Sequence, residues 1–302
     1  MPANFPEVWE DRFIQNLDQA DIAPWLEGIA ELSADVNVVN PGAISEINVI
    51  YVAATDFEVD VLINNNTYPI AVQQYDDDTL SFNLDKYQTK VVTLADDVII
   101  GASYDKIDVV TKASTRSITV NKYQKAIHSI APAGDAVKTP IIEATGGPDA
   151  LTDPTGRLRL TYDDLVEAQR RCKGFVDPRL VLNQDHWNDL LLDRKNFGNQ
   201  LVDYVKGKPS PMICGFELFK YEGEMPIYTA ALAKKAFGAI LEAGDRTASV
   251  IFTKDAIAKK TGITKQYFVE AKNNPANQTN DLAYRHYFLA TPFRAEKIGA
   301  II

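Results

Sequence analysis

The chain has 302 residues, 46 % of them hydrophobic and 24 % charged, with a formal net charge of −10, an ordinary composition for one large or two modest folded domains. The acidic balance argues against generic binding to phosphate backbones, where affinity comes from neutralising phosphates with Lys and Arg. Two distant cysteines, Cys172 and Cys214, argue against a disulfide framework or a zinc site, and no uncharged apolar run approaches the ~18 residues of a membrane span.

In chain order, residues 1–45 read as an N-terminal arm. Val8, Trp9, Phe13 and Leu17 share one helical face, and Trp25, Leu26, Ile29 and Leu32 share another. Apolar anchors on such an arm imply docking, either on the arm's own domain or on a neighbouring subunit. The first 40 residues hold eight acids against Arg12 alone, and the acidic start lacks the basic region of a secretory signal.

Ile47, Val49 and Tyr51 open a sheet that feeds a long ribbon. Phe57, Val59, Val61 and Ile63 alternate with Glu58 and Asp60 at the period of a strand. Asn64, Asn65 and Asn66 break that pattern, and Tyr68, Ile70 and Val72 mark a second extended run. Asp76, Asp77 and Asp78, with Tyr75 beside them, are expected at the tip, where three adjacent carboxylates favour water or a basic partner. Leu80, Phe82 and Leu84 alternate again, and residues 89–94 form a β-branched run. Because a two-stranded ribbon is marginal alone in water, this one is expected to lean on another surface.

Residues 103–130 then recur at three-to-four spacing through Tyr104, Ile107, Val110, Tyr123, Ile127 and Ile130, predicting a helix of roughly 40 Å at 1.5 Å per residue. Ser103 is its expected N-cap, and Pro132 with Gly134 stops it. It carries Lys106, Lys112, Arg116, Lys122 and Lys125 against Asp105 and Asp108, an expected basic stripe on an acidic protein.

Residues 131–155, punctuated by Pro and Gly, read as a linker or loop. A short strand is expected at 157–160, and Thr161 with Asp164 supplies a capping box for a helix to Lys173, stopped by Gly174. Residues 180–182 predict a buried strand, Asn183 an N-cap, and 185–192 a helix with Trp187, Leu190 and Leu191 inward and His186 on the surface. Further expectations are a helical 201–205, paired strands at 216–221 and 226–228, and strands at 249–253, 267–271, 284–291 and 297–302. Residues 255–260 read as a short helix or turn.

The three histidines lie on separate elements without metal-ligand spacing. No nucleophile elbow, dinucleotide fingerprint or phosphate loop appears. The adjacent pairs Asp96-Asp97 and Asp163-Asp164 suit helix starts better than acid/base work. No catalytic residue, cofactor site or metal site is assigned, and the expected class is not an enzyme.

The order of these elements resembles the HK97-fold major capsid proteins of tailed bacteriophages. The local strings are Asn66-Thr-Tyr-Pro-Ile-Ala-Val72, Asp96-Asp97, Ser103-Tyr-Asp-Lys-Ile107, Leu182-Asn183 with Trp187 and Leu190-Leu191, Gly215-Phe216 to Pro226, and Ile298-Gly-Ala-Ile-Ile302. The resemblance implies an α+β fold with an N-terminal arm (1–45), an extended β-hairpin E-loop with its base strands (46–95), a P-domain (96–178) containing the spine helix, an A-domain (179–250), and return strands (251–302). It implies a subunit that forms pentamers and hexamers in an icosahedral shell around packaged double-stranded DNA, located in the virion and assembled in the host bacterial cytoplasm, without a membrane. Its partners would be itself, scaffolding and portal proteins, and cement or head-decoration proteins. The short leading arm implies a separate scaffold or none. On this reading Asp76, Asp77, Asp78 and Tyr75 meet Lys112 or Arg116 of an adjacent subunit, and Trp9 and Trp25 are further contact candidates. The alternative is an encapsulin-like compartment enclosing an enzyme cargo.

Overall fold

The computed structural model describes residues 13–17, 23–39, 46–54, 59–70, 72–73, 78–95, 106–147, 157–192, 202–203, 208–209, 212–274 and 276–302. Three short strands come first: β1 (Asn37–Val39), β2 (Ile47–Ala54) and β3 (Asp78–Asn83). They pair in the order β1-β2-β3, all antiparallel. Next come β4 (Asp85–Gln88), β5 (Val92–Ala95) and the long helix α1 (Lys106–Ile130). β6 (Ile141–Ile142), α2 (Tyr162–Arg171), β7 (Arg179–Leu182) and α3 (Gln184–Leu192) follow. The short strands β8 (Val202–Asp203), β9 (Lys208–Pro209) and β10 (Met212–Ile213) lead to β11 (Phe216–Lys220). The chain closes with β12 (Ile227–Tyr228), β13 (Arg246–Thr247), β14 (Ser249–Phe252), β15 (Ile257–Val269), β16 (Thr279–Pro292) and β17 (Ile298–Ile301).

Two bodies of structure share α1. A mixed six-stranded sheet runs β10-β11-β7-β14-β17-β6. Its central strands are buried on both faces, so they read as apolar runs rather than alternations. Val181, Val250, Phe252 and Ala300 point to one side, with Ile127 and Ile130 at the C-terminal end of α1. Leu180, Leu182, Ile251 and Ile301 point to the other, against Leu165 and Ala168 of α2 and Leu190 of α3. The second body is the long hairpin β15–β16, with β4 and β5 added to β16 and α1 laid across it through Ile118, Leu282 and Tyr284. A register shift between Thr261 and Thr264 lets β15 cross tightly over the body: a Cβ on Gly262 would sit 2.7 Å from Tyr287 Cβ and 2.8 Å from Leu84 Cδ2.

The helix lacks an apolar stripe in its N-terminal half because that half buries hydroxyls. Thr111, Ser114, Thr115 and Thr119 are buried beside Ile118. Thr111 Oγ1 lies 3.2 Å from Tyr284 Oη, and Thr115 Oγ1 donates 2.9 Å to the Thr111 carbonyl. Small β-branched side chains let the helix approach β16 closely, and tertiary contact offsets their weak helix propensity.

The leading arm docks on its own chain. Trp25 is 2 % exposed and makes edge contacts with Tyr123, Tyr221 and Phe252 at 5.9–6.3 Å. The Arg179 guanidinium donates to the carbonyls of Trp25 (2.9 Å) and Glu27 (2.6 Å), fixing the backbone on either side of Leu26. Phe13 stacks on Tyr284 with ring centroids 3.9 Å apart.

Several sequence expectations change. Of the helix expected at 201–205, residues 202–203 are described, and they form the two-residue ladder β8–β9 instead. β11 and β12 do not pair: β11 runs parallel to β7, and β12 pairs with β13. The strand expected at 267–271 begins at Ile257, after a single 3-10 turn at Lys254–Ala256. The loop 131–155 contains β6, which edges the six-stranded sheet. The expected N-cap Ser103 and the pair Asp96-Asp97 lie outside the described residues. The capping box at Thr161 and Asp164 is formed on both sides, and Gly174 takes φ +90° beyond the helix end. Among the described residues no helix is long and apolar enough to cross a membrane.

Candidate assembly surfaces

The hairpin between β2 and β3 is the least supported part of the described chain. Residues 59–62 run without a ladder, so the expected strand at 56–63 is not seen where it is described. The register pairs Ala54 with Asp78, and the Asp60 N–H donates 3.0 Å to Gln73 Oε1 across the hairpin. Both connections centre the turn on residues 64–67, where Asn65 Oδ1 accepts from the Thr67 N–H and Asn65 Nδ2 donates to the Thr67 carbonyl. The expectation of an aspartate tip is therefore corrected: Asp78 lies at the end of the β2–β3 ladder, and the asparagine run forms the apex. Tyr75, Asp76 and Asp77 lie outside the described residues.

Val59, Val61, Leu62, Ile63, Tyr68, Ile70 and Val72 are 54–90 % exposed. Isolated exposed apolar residues are normal, but seven within one projection form a patch that needs a cover. Within β2–β3, Ile50, Val52 and Phe82 face the core with Leu84, Tyr287 and Leu289. Further out, Asp60, Leu62, Tyr68, Ile70 and Val72 are exposed beyond the ladder that ends at Ala54 and Asp78. From 55 to 78 the chain has six acids and no base. At its root, Glu46 Oε1 accepts from Tyr287 Oη (3.1 Å) and Lys265 Nζ (3.3 Å), tying the start of β2 to the β15–β16 hairpin.

The outward side of α1 offers a contrasting surface. Val109, Lys112, Arg116 and Val120 are exposed at helical spacing. Lys112 pairs with Asp108 at 2.8 Å one turn away, an exposed contact of small energy. The expected basic stripe is interrupted, because Lys122 points inward. Its side chain is fully buried, with Nζ 4.7 Å and 4.9 Å from the ring centroids of Phe288 and Tyr123. Lys125 lies over Phe237, 5.3 Å from its centroid.

Sequence reading misses the loop joining β12 to β13. Lys234 Nζ donates to the His128 carbonyl (2.9 Å) and to the Ala131 carbonyl, satisfying orphan groups at the end of α1. Lys235 Nζ spans the loop to Ile240 O, Glu242 and Asp245 at 2.8–3.1 Å. This brace presents Phe237, Ile240 and Leu241 at the surface, along the rim of a cavity of about 390 Å³ that reaches His128 and Met225. The only sign of it in the sequence is the uncharged run Ala236–Leu241 between two lysines and an acid.

The titratable groups inside the body serve packing. His186, expected on the surface, is buried. Asn183 accepts from the His186 N–H at 2.7 Å as helix cap, which turns His186 inward to Ser249 Oγ at 2.7 Å from Nδ1. That hydroxyl also accepts from the Asn183 N–H at 3.0 Å, so it ties the histidine to the end of β7. Burial pushes the His186 pKa down to about 4. Although the Ser–His contact has the spacing of a nucleophile and base, both side chains are sealed in the sheet. His286, bonded to Thr264 Oγ1 at 3.0 Å, is pushed down to about 3, by burial first and then by Lys122. Burial also pushes the Cys172 thiol up to about 12 and raises Cys214, which suppresses thiolate chemistry. Asp189 takes a bidentate ion pair from Arg157 (2.6 and 3.1 Å) and the Leu160 N–H (2.9 Å). Among the described residues no group of His, Cys, Asp or Glu is arranged to hold a metal ion.

Of the contact candidates named from the sequence, Lys112 and Arg116 share one exposed helix face. Trp25 is corrected: its ring is spent on its own core and presents no surface to another copy. Trp9 lies outside the described residues.

No protein-family model matches the chain, and no curated protein matches it in sequence. Solved structures do. The capsid structure of the cyanophage P-SCSP1u matches with a TM-score of 0.61 at 12 % identity, over 91 % of this chain and 86 % of that one. A structure of Mycobacterium phage Che8 matches with a TM-score of 0.54 at 12 % identity, over 93 % and 94 % of the two chains. The virus-like particle from Pyrococcus furiosus matches with a TM-score of 0.56 at 9 % identity, over 99 % and 100 %. The chain has the α+β fold of the HK97-like capsid proteins.

Proposed function

We propose that this chain is a structural shell subunit, without catalysis, whose copies form pentamers and hexamers of a closed icosahedral capsid around packaged double-stranded DNA. The observation that carries the reading is the hairpin at 59–73, where seven described apolar side chains are 54–90 % exposed. A capsid fold supports it, because such a fold is known from neighbours described as capsids and a virus-like particle.

Each hairpin lies on the next subunit in a head-to-tail contact that closes into a ring. The hairpin, which bears Asp60, Leu62, Tyr68, Ile70 and Val72, is both acidic and apolar. It matches the outward stripe Val109, Lys112, Arg116 and Val120 of a neighbour's α1, which is both basic and apolar. Tyr75, Asp76, Asp77 and Asp78 extend that contact, and Trp9 supplies a further anchor from the arm. A predominantly acidic shell avoids adhesion of packaged DNA to its wall. Scaffolding, portal and cement or head-decoration proteins are the partners of the assembly, which takes place in the cytoplasm of a bacterial host and ends in the virion. The second reading, an encapsulin-like compartment, is favoured by end-to-end alignment with the virus-like particle from Pyrococcus furiosus.

Size-exclusion chromatography with negative-stain microscopy of the purified chain tests the proposal. Closed particles or capsomers are expected; a stable 33.5-kDa monomer at high concentration, with scaffold present or absent, would overturn it. DNA-filled shells that require a scaffold separate the virion reading from small shells that load an enzyme. Charge reversal at Asp76, Asp77 and Asp78 should impair assembly while leaving a folded monomer, and unchanged shells would remove those residues from the contact.

A further inference from the structure

The loop joining β12 to β13 turns its lysines inward and its apolar side chains outward. Lys234 donates to the carbonyls that end α1, and Lys235 donates to Ile240 O, Glu242 and Asp245. Residues 236–241 carry no charge, and Phe237, Ile240 and Leu241 are 42, 81 and 49 % exposed. A loop that only connects two strands gains nothing from this arrangement, whereas a patch that meets a partner does. Two exposed acids, Glu224 and Glu242, stand beside it.

The loop lies on the α1 side of the six-stranded sheet, where Leu232 packs on the core of Ile127, Ile130, Val250 and Phe252. Helix α2 covers the opposite side, with Leu165 and Ala168 on Leu180 and Ile251. Successive residues of β14 point to opposite faces, so the sheet stands between loop and helix. Because Leu165, Ala168 and Cys172 are buried, α2 turns Val166, Arg170 and, just past its end, Lys173 outward at helical spacing. Val166 and the nearby Val176 are 44 and 63 % exposed. Arg170 holds Glu167 within the chain, and Asp177 is an exposed acid beyond Lys173.

We infer that the loop patch of Phe237, Ile240 and Leu241 packs against the outward face of α2 in another copy of this chain. The inference rests on the shell reading for the presence of neighbours, and it adds a second pair of surfaces, distinct from the hairpin contact. A ring needs two different surfaces on opposite sides of each subunit, and the sheet separates these two in that way. Val166 and Val176 give the loop apolar area, while Arg170 and Lys173 meet Glu224 and Glu242 at the rim. Contact of the loop with its own image would instead bring the same acids together.

Cross-linking in assembled particles tests this directly. Ile240→Cys and Val166→Cys are combined in one full-length chain carrying Cys214→Ser, with Cys172 left buried, and the particles are treated with a short bismaleimide. The two cysteines lie on opposite sides of the sheet, so each link joins two copies, and links in sequence build a ladder of trimers and larger species on a denaturing gel. The combined variant should give that ladder, and I240C or V166C alone should stay monomeric. Particles in which the combined variant gives no ladder, or in which I240C alone dimerises equally, overturn the inference and leave the shell reading standing. Ile240→Lys reads the same contact without a cross-linker. Its unfolding midpoint should match the parent, since the side chain is exposed, while particle yield should fall about tenfold or more; a parent-like yield overturns the inference. An unsubstituted chain that forms no particles removes the shell reading as well.

Discussion

The leading arm at residues 23–34 and the hairpin at residues 59–73 look alike in sequence, each an apolar-studded projection beside acids. In the fold they part company. The arm drives Trp25 into a box of three aromatic rings and anchors its carbonyls on Arg179. The hairpin keeps seven apolar side chains in water, and its bonds beyond the ladder include the Asp60–Gln73 contact and the Asn65 turn. Burial within the chain stabilises the fold, whereas apolar surface left outside it is available to another molecule. Substitutions in the two regions should therefore separate folding from assembly.

The largest effect is expected for Trp25→Ala, which empties a fully enclosed site. The loss should be about 3–5 kcal/mol, read as a lower midpoint in thermal or urea unfolding, with assembly failing because the subunit fails. A midpoint unchanged from the parent would mean that the arm is not docked. Next is pH. His186 and His286 stay neutral in the fold while their unfolded counterparts take protons below the ordinary histidine value. Their contribution is fully present above about pH 6.5 and is lost as pH falls toward the folded values of about 4 and about 3. His186→Gln should flatten the slope of unfolding midpoint against pH across that window; an identical slope would show that His186 is not held neutral.

Arg179→Met should cost about 1.5–3 kcal/mol per lost charged hydrogen bond, partly offset by the apolar stem. Protease cleavage within residues 23–34 should rise before global unfolding does. Smallest for stability is the triple change Val59→Ser, Val61→Ser and Ile63→Ser, expected within about 0.5 kcal/mol of the parent. Its midpoint should barely move, yet sedimentation should show subunits in place of particles. A large fall in midpoint would mean that the hairpin packs on its own chain.

Much of this contrast is legible in the amino-acid sequence, and the misses have physical causes. The capping box at Thr161, the Asn183 cap and the α1 stop are readable because local hydrogen bonds decide them. The inward turn of His186 is not, since it depends on Ser249, 63 residues away. Lys122 looks like a member of a basic stripe because helical spacing says which residues share a face but not which face is buried. The hairpin apex is easily misplaced because three aspartates and three asparagines are equally good turn formers. The pairing of Ala54 with Asp78 and the Asp60–Gln73 hydrogen bond tell them apart. Alternation picks out Val59, Val61, Tyr68 and Ile70 as one outward run although residues 59–62 form no ladder, and their exposure is the feature on which the proposed function depends.

Hydrogen exchange of the amides at residues 59–73, compared between assembled particles and dissociated subunits, bears most directly on whether another copy supplies the missing cover. Strong protection in the particle and near-random exchange in the free subunit are predicted, with the amides at 25–29 slow in both. Equal, fast exchange of residues 59–73 in intact particles would contradict the account.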